Sequence, residues 1–389
     1  MRYTIIGFLS GIALAGSALA TQQPKTLGTL ELTSLAAYQD AAEVQGSQPT
    51  ELALVFLDDS TIAVFVEFRF RPGSGNDVSV ALRNIHHNAA IFTIDEQNLS
   101  NEKSRVWKGL PGLPPTQLGW AILPTGTSGC ILIVDNQLFS LSHTLDVVGK
   151  RDLPRNPAMF NGFMRQDQWT ILTDPGAKKA LLVRFPFVPT STGSKYGEAH
   201  WISPDTLEDQ SSMSVPRWGG TAVLVGDSVI FNELGVERQP AQIQTNGGQP
   251  RPLCAECFGG VEASFGNGLV FLRGLHEYSV RDSNGTIRYS KKGIGGRADT
   301  IGGVRGAITM KRVAYRFGHL GRGLEETAVV LDVDSNKEIW WYKVHQSAAR
   351  TEVDGFVKES FPSPTVAMSP DGKKLAIVSG TTLSVFEIP

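Results

Sequence analysis

Short apolar strands and tight polar turns alternate along the chain. The first clear unit is Val55-Phe56-Leu57-Asp58-Asp59-Ser60-Thr61-Ile62-Ala63-Val64, two apolar runs around an acidic turn. It returns near the C-terminus, where Val366-Ala367-Met368 and Leu375-Ala376-Ile377-Val378 flank Ser369-Pro370-Asp371-Gly372. Asp-Gly between apolar runs is a strong hairpin signal, because a positive φ costs little there. Weaker copies lie at Trp120–Val134, Phe163–Leu172 around Gln166-Asp167, Ala222–Phe231, Ala263–Leu272, and Ala307–Phe317 around Lys311-Arg312. A second hairpin follows several of the first, at Ile91–Asn98, Tyr278–Tyr289 and Val329–Trp340.

Two hairpins make a four-stranded antiparallel unit. From Val55 to Val366 is 311 residues in six steps, about 52 per step, near the blade period of propellers. Helical patterns are scarce, with one short candidate at Ser34–Glu43. The expected fold is all-β: a β-propeller of seven four-stranded blades over 52–389, preceded by an N-terminal segment, 21–51. The last blade shows only three strands, so Thr26–Leu32 is expected to complete it. Long irregular stretches are expected at Phe70–Val78, Asn101–Leu118, Pro189–Trp218 and Arg350–Pro364.

The Ser369-Pro370-Asp371-Gly372-Lys373-Lys374-Leu375-Ala376 segment resembles the blade hairpin of WD40-like and YVTN-type propellers of secreted bacterial proteins. Leu383-Ser384-Val385-Phe386-Glu387-Ile388 is similar to the strand that closes such chains. The resemblance implies a fold, not an activity, since propellers host both enzymes and binding scaffolds.

Residues 1–20 read as a targeting segment. Arg2 is followed by an apolar run, Ile5–Leu14, and by Ala18-Leu19-Ala20, a small-x-small cleavage pattern. Export to the periplasm or the extracellular space follows, with no membrane insertion after cleavage. The formal charge is −2, from 36 basic and 38 acidic residues. That balance argues against a nucleic-acid partner. Charged residues are only 19%, below the level of coiled coils.

Export makes the three cysteines informative. Cys254-Ala255-Glu256-Cys257 sits between Pro250/Pro252 and Gly259-Gly260, a loop context that favours a local disulfide. Metal-linked thiols and a redox-active pair are the alternatives; a haem site lacks its histidine, since Phe258 follows. Cys130, inside Cys130-Ile131-Leu132-Ile133-Val134, reads as a buried small hydrophobe.

Several catalytic signatures are missing: no Gly-x-Ser-x-Gly, no phosphate-cradling glycine loop and no His-Glu-x-x-His. Asp332-x-Asp334-x-Asn336 imitates a calcium loop but has Lys337 where glycine is needed, so a hairpin turn explains it better. His86-His87, near Asn84 and Asn88, reads as a polar surface loop. His143, His200, His276, His319 and His345 are spread about one per blade. Asp58, Asp59, Asp167, Asp227 and Glu233 fall at expected turns and read as solvated turn residues. Arg217-Trp218 and Arg305, each just before an expected first strand, stand where blade entries approach the axis; they are the candidate ligand-binding residues, suited to an anionic group, and bonds to backbone carbonyls of loops are the alternative. Trp340-Trp341 in one strand should bury one ring and expose the other.

The favoured function is a non-catalytic binding or scaffolding propeller that recognises a protein, peptide or glycan, acts as a monomer and needs no cofactor. The alternative is a lactonase-like hydrolase. In such propellers Asp, Glu and Asn surround a calcium ion at the central channel, and the metal polarises a carbonyl.

Overall fold

The structure is a computed structural model. It describes residues 24–43, 49–70, 86–111, 122–126, 129–154, 156, 158–160, 163–165, 167–176, 178–186, 196–218, 221–233, 240–257, 260–264, 267–273, 277–292, 299–319, 325–345, 349–353, 356–360 and 366–389. The leader reading (1–20), the expected irregular stretch Phe70–Val78 beyond Phe70 itself, Asn84 and His276 fall outside the described residues.

The chain forms seven four-stranded antiparallel blades in a ring, a β-propeller. The inner strands of blades 1 to 7 are Glu51–Phe56, Ile122–Pro124, Gln168–Asp174, Val223–Val225, Gly260–Ser264, Asp299–Gly306 and Val366–Met368. Six blades run outward in chain order. The seventh places Lys374–Ser379 and Thr382–Glu387 beside its inner strand and takes its outermost strand, Lys25–Glu31, from the N-terminal segment. That strand pairs antiparallel from Lys25↔Glu387 to Glu31↔Thr382. It matches the expected closing strand, except that Leu32 already opens a 3-10 turn. The helix Ala36–Ala42 then seals the join, with Tyr38 edge-on to Phe68 and the Asn88 amide bonded to the Ala41 carbonyl.

The described residues share no single core. The buried apolar side chains of the described residues group into clusters that each lie between two neighbouring blades. A blade between two others buries both faces, so its strands read as unbroken apolar runs such as Cys130–Val134, all five residues buried. Aromatic pairs reinforce these seams. Trp218 packs between Phe185 and Phe231 at blades 3 and 4, and Trp340 meets Phe386 at blades 6 and 7. Outside the seams, the turn before the outermost strand of several blades leans on a neighbour. Leu99, Leu145 and Leu207 sit there in the left-handed region, at φ 52°, 60° and 61°. The Leu145 carbonyl accepts from Arg105, and the Leu207 carbonyl from Arg151, each arginine in the preceding blade.

Three expected loops are partly strands. Asn101–Pro111 and Asp209–Pro216 are the outermost strands of blades 1 and 3, and Tyr196–Ile202 lies inside the stretch read as Pro189–Trp218. Outermost strands keep a face in water, so runs like Asp209-Gln210-Ser211-Ser212 lack apolar alternation. Ala349–Val353 and Phe356–Ser360 form a side hairpin between blades 6 and 7. The unit read at Phe163–Leu172 is also displaced. Phe163–Arg165 pairs with Ala158–Phe160 outside the blade, whose own first hairpin joins Gln168–Asp174 to Lys179–Phe185. In blade 6 the inner strand precedes the expected hairpin, ending at Gly306, because the Gly302-Gly303 pair carries a bulge that breaks the pattern. The histidine pair is not in a loop. Both residues open the strand His86–Asp95, and His87 is buried, 3.5 Å from Glu67.

Candidate functional site

Each inner strand is followed by the second strand of its blade, and the described residues of these connections gather at one end of the axis. Several are tied to the turn of a neighbouring blade. Asp59 Oδ1 accepts from the Asp371 amide, and the Pro370 carbonyl accepts from the amides of Ile308 and Thr309. The Asn267 amide donates to the carbonyls of Ala307 and Met310, and Asp174 accepts from the Gly226 amide. At Gly126, φ is +73° and a Cβ would stand 2.0 Å from the Pro175 carbonyl oxygen, so only glycine lets the turns of blades 2 and 3 meet. These contacts brace the collar between neighbouring blades.

Inside this collar lies a cavity of about 90 Å³ to which every blade contributes, through Val55, Leu123, Thr173, Val223, Ser264, Arg305 and Ala367. The volume suits several waters or one small polar group. Among the described lining residues Arg305 carries the one charge. Its guanidinium donates to the Val304 carbonyl, and burial pulls it down from its usual range to about 9, still protonated at neutral pH. The Ser264 hydroxyl donates to Leu224 across the blade 4–5 seam. Thr173 is buried, and its hydroxyl has no hydrogen-bond partner among the described residues. An apolar funnel with one cation and an uncommitted hydroxyl can desolvate an anionic group and bond it; it holds no acid–base pair among these residues.

The sequence brings Arg305 to the axis by a route other than the expected one. It ends the inner strand of blade 6 instead of preceding it. Arg217 and Trp218 stand elsewhere. Arg217 bonds Gln168 at the start of the blade 3 inner strand, the opposite end from Thr173, and lies over the Phe185 ring at 5.6 Å. Trp218 is 2% exposed, inside the blade 3–4 seam. The three candidates thus do not form one site.

The same lining is unsuited to calcium. Those residues offer no carboxylate and place a cation where the ion would sit, and no three His, Cys, Asp or Glu side chains converge among the described residues. They do not fit the metal. The acids expected at turns are engaged locally. Asp58 accepts from Ser60 and Thr61, Asp227 pairs with Lys179, and Asp167 is buried against Arg184 at 2.7 Å, a correction to its reading as a solvated residue. His143 is exposed on a turn, and His200 lies 3.3 Å from Asp209 on an outer strand pair. Trp340 is buried and Trp341 half-exposed, as alternation requires.

Cys254 and Cys257 are joined in a disulfide, in the connection between blades 4 and 5. Cys130 is a free, buried thiol, its pKa pushed up to about 12 by burial. Two features had little sequence signal. Thr173 is one of many strand threonines. Arg281, buried beside the disulfide, stands 27 residues downstream of Cys254.

No helix among the described residues is long and apolar enough to cross a membrane. No family model matches the chain, and no curated protein matches it. Among solved structures the fold is similar to Hsv2 of Kluyveromyces lactis, with TM-score 0.47, 10% identity, and 85% of this chain and 90% of that chain covered. It is also similar to the WD40 domain of SCAP from fission yeast, with TM-score 0.45, 10% identity and coverage of 88% and 92%. BamB from Moraxella catarrhalis gives TM-score 0.39, 11% identity and coverage of 85% and 82%. The likeness is one of propeller architecture.

Proposed function

We propose that this protein is an exported, monomeric, non-catalytic binding propeller that docks an acidic segment of a protein or peptide partner on the collar at one end of its axis. The observation that carries the reading is the placement of Arg305 inside a cavity lined by all seven inner strands. Arg305 is the one charged residue among the described lining residues, so an anionic group entering the cavity meets a cation there. A partner carboxylate can pair with the guanidinium, and the Thr173 hydroxyl can donate to it. The collar turns are already bonded to each other, so docking orders little backbone and loses little entropy. Export rests on the leader pattern of residues 1–20, and the disulfide suits an oxidising compartment.

Isothermal titration of the mature protein with hexaglutamate, at low and at physiological salt, tests the reading. Saturable binding is expected, weakened at least about tenfold by Arg305→Met. Equal binding by the two proteins, or none by either, removes the proposal.

A further inference from the structure

The connection between blades 4 and 5 is built as more than a staple. Cys257 is fully buried, Cys254 is half-buried, and Ala255 and Glu256 between them are exposed. The loop keeps its shape through the backbone. The Leu253 amide donates to Ala241, the Ala241 amide to Cys257, and the Cys257 amide to Cys254, at 2.7, 2.8 and 3.3 Å. A bridge across so short a segment removes little disorder from the unfolded chain, so its mechanical value is small.

Arg281 makes the site unusual. The side chain is 5% exposed and comes from the third strand of blade 5. Nε donates to Ser279 Oγ at 3.2 Å and Nη2 to the Glu256 carbonyl at 3.5 Å; Nη1 donates to the Gly285 carbonyl at 2.9 Å and to Cys254 Sγ at 3.4 Å. Every one of these partners is neutral, so among the described residues this buried cation has no counter-charge. A thiolate at Cys254 supplies one at hydrogen-bond distance. Gly285 holds the geometry: its φ is +81°, and a Cβ there would stand 2.7 Å from Cys254 Cβ. Reactive cysteines occupy this kind of half-open, electropositive setting.

We propose that Cys254–Cys257 is a thiol–disulfide exchange site that oxidises external thiols, with Arg281 as the positioning residue that stabilises its opened form. A thiolate from outside attacks Cys254 Sγ, the accessible sulfur, forming a mixed disulfide. The electron pair of the broken S–S bond leaves on Cys257 Sγ, which takes up a proton. A second external thiolate attacks the outer sulfur of the mixed disulfide and releases the Cys254 thiolate to Arg281. Two external thiols become one disulfide, the protein disulfide gains two electrons, and one of the two thiol protons goes to solvent. The substrate class is a small thiol or the cysteine of a peptide, and the chemistry is independent of the axial collar.

The full mature chain is equilibrated in glutathione buffers of graded ratio, quenched with an alkylating reagent and read by mass spectrometry. The pair is expected to open within the glutathione range. Arg281→Met is expected to disfavour opening about tenfold in the equilibrium constant, about 30 mV for this two-electron couple. A pair that stays closed in every buffer, or a midpoint that Arg281→Met leaves in place, overturns the proposal. A second pair of variants decides the matter should Arg281→Met fail to fold. Cys257→Ser is expected to accumulate glutathione on Cys254, while Cys254→Ser leaves Cys257 unmodified. Equal modification of the two overturns the assignment of Cys254 as the attacked sulfur.

Discussion

Replacing Arg305 with methionine should stabilise the protein, an unusual outcome for a change at a buried position. Methionine matches the length of the aliphatic stem and introduces no charge. What it removes is a guanidinium held among Val304, Leu224, Ala263 and Val55 in the channel, where burial pulls it to about 9. Taken at face value, a shift of that size corresponds to about 5 kcal/mol of desolvation. Water reaching the cavity screens part of it, and losing the guanidinium's partners, the Val304 carbonyl among them, offsets about 1–2 kcal/mol more. A net gain of about 1–3 kcal/mol is left. For a chain of this length that raises Tm by roughly 1–4 °C. A depressed basic group costs stability throughout the range in which it stays charged, so the gap between the two proteins should be level from pH 5 to 8. Paired urea titrations and thermal melts measure it. A variant less stable than the parent, with unchanged cooperativity, would refute the view that Arg305 is held at a cost for the sake of a ligand.

Three further outcomes follow from the fold. Deleting residues 21–35 removes the outermost strand of blade 7 and bares Leu383 and Val385; thermal melts should show a loss of several kcal/mol and of the single cooperative transition. A deletion that melts like the parent disproves ring closure by this strand. Leu207→Ala should cost about 2–4 kcal/mol by emptying the blade 2–3 seam, whereas Leu207→Gly, though smaller, should be no worse, because the left-handed φ of 61° strains alanine but not glycine. Denaturant midpoints compare them, and a glycine variant clearly below the alanine one contradicts the account. Glu338 lies at the blade 5–6 seam, where Tyr278, Tyr289, Tyr315 and Lys291 all donate to its Oε1. Burial opposes its ionisation, yet those bonds hold its carboxyl below the usual range. The stability it supplies is present above about pH 4.5 and is lost as pH falls through its lowered value. Glu338→Gln should therefore weaken the fold by about 1–2 kcal/mol at pH 7 and flatten its acid dependence below about pH 5. A parallel acid profile for the two proteins tells against it.

The architecture was legible because a blade buries both faces. Seams on either side demand apolar runs broken by turns, and seven such hairpins can be counted in the chain, with the Asp371-Gly372 turn the clearest. The closing strand was legible by subtraction, from a last blade one strand short. What failed was spacing. Inner strands begin 71 residues apart between Glu51 and Ile122 but only 37 apart between Val223 and Gly260. A mean period therefore located blades without locating their edges. Side hairpins at Ala158–Arg165 and Ala349–Ser360 mimic blade hairpins locally, and only ring closure, a long-range event, tells them apart.

The same non-locality governs the candidate sites. Seven residues that meet at the collar come from seven blades, so no spacing rule joins Thr173 to Arg305, and Arg305 emerged from its charge and glycine context alone. Arg217 and Trp218 had equal claims in the sequence, yet the first is spent on Gln168 and the second on the Phe185–Phe231 seam. Local motif and partner part company again at Cys254-Ala255-Glu256-Cys257. The spacing announces the disulfide, while the residue that bears on its reactivity, Arg281, arrives through the pairing of Leu269–Arg273 with Glu277–Asp282. Stability divided among separate seams explains why both arginines are tolerated. Neither belongs to an apolar cluster of the seams, so an incoming anion, carboxylate or thiolate, can be met there without unpacking the ring.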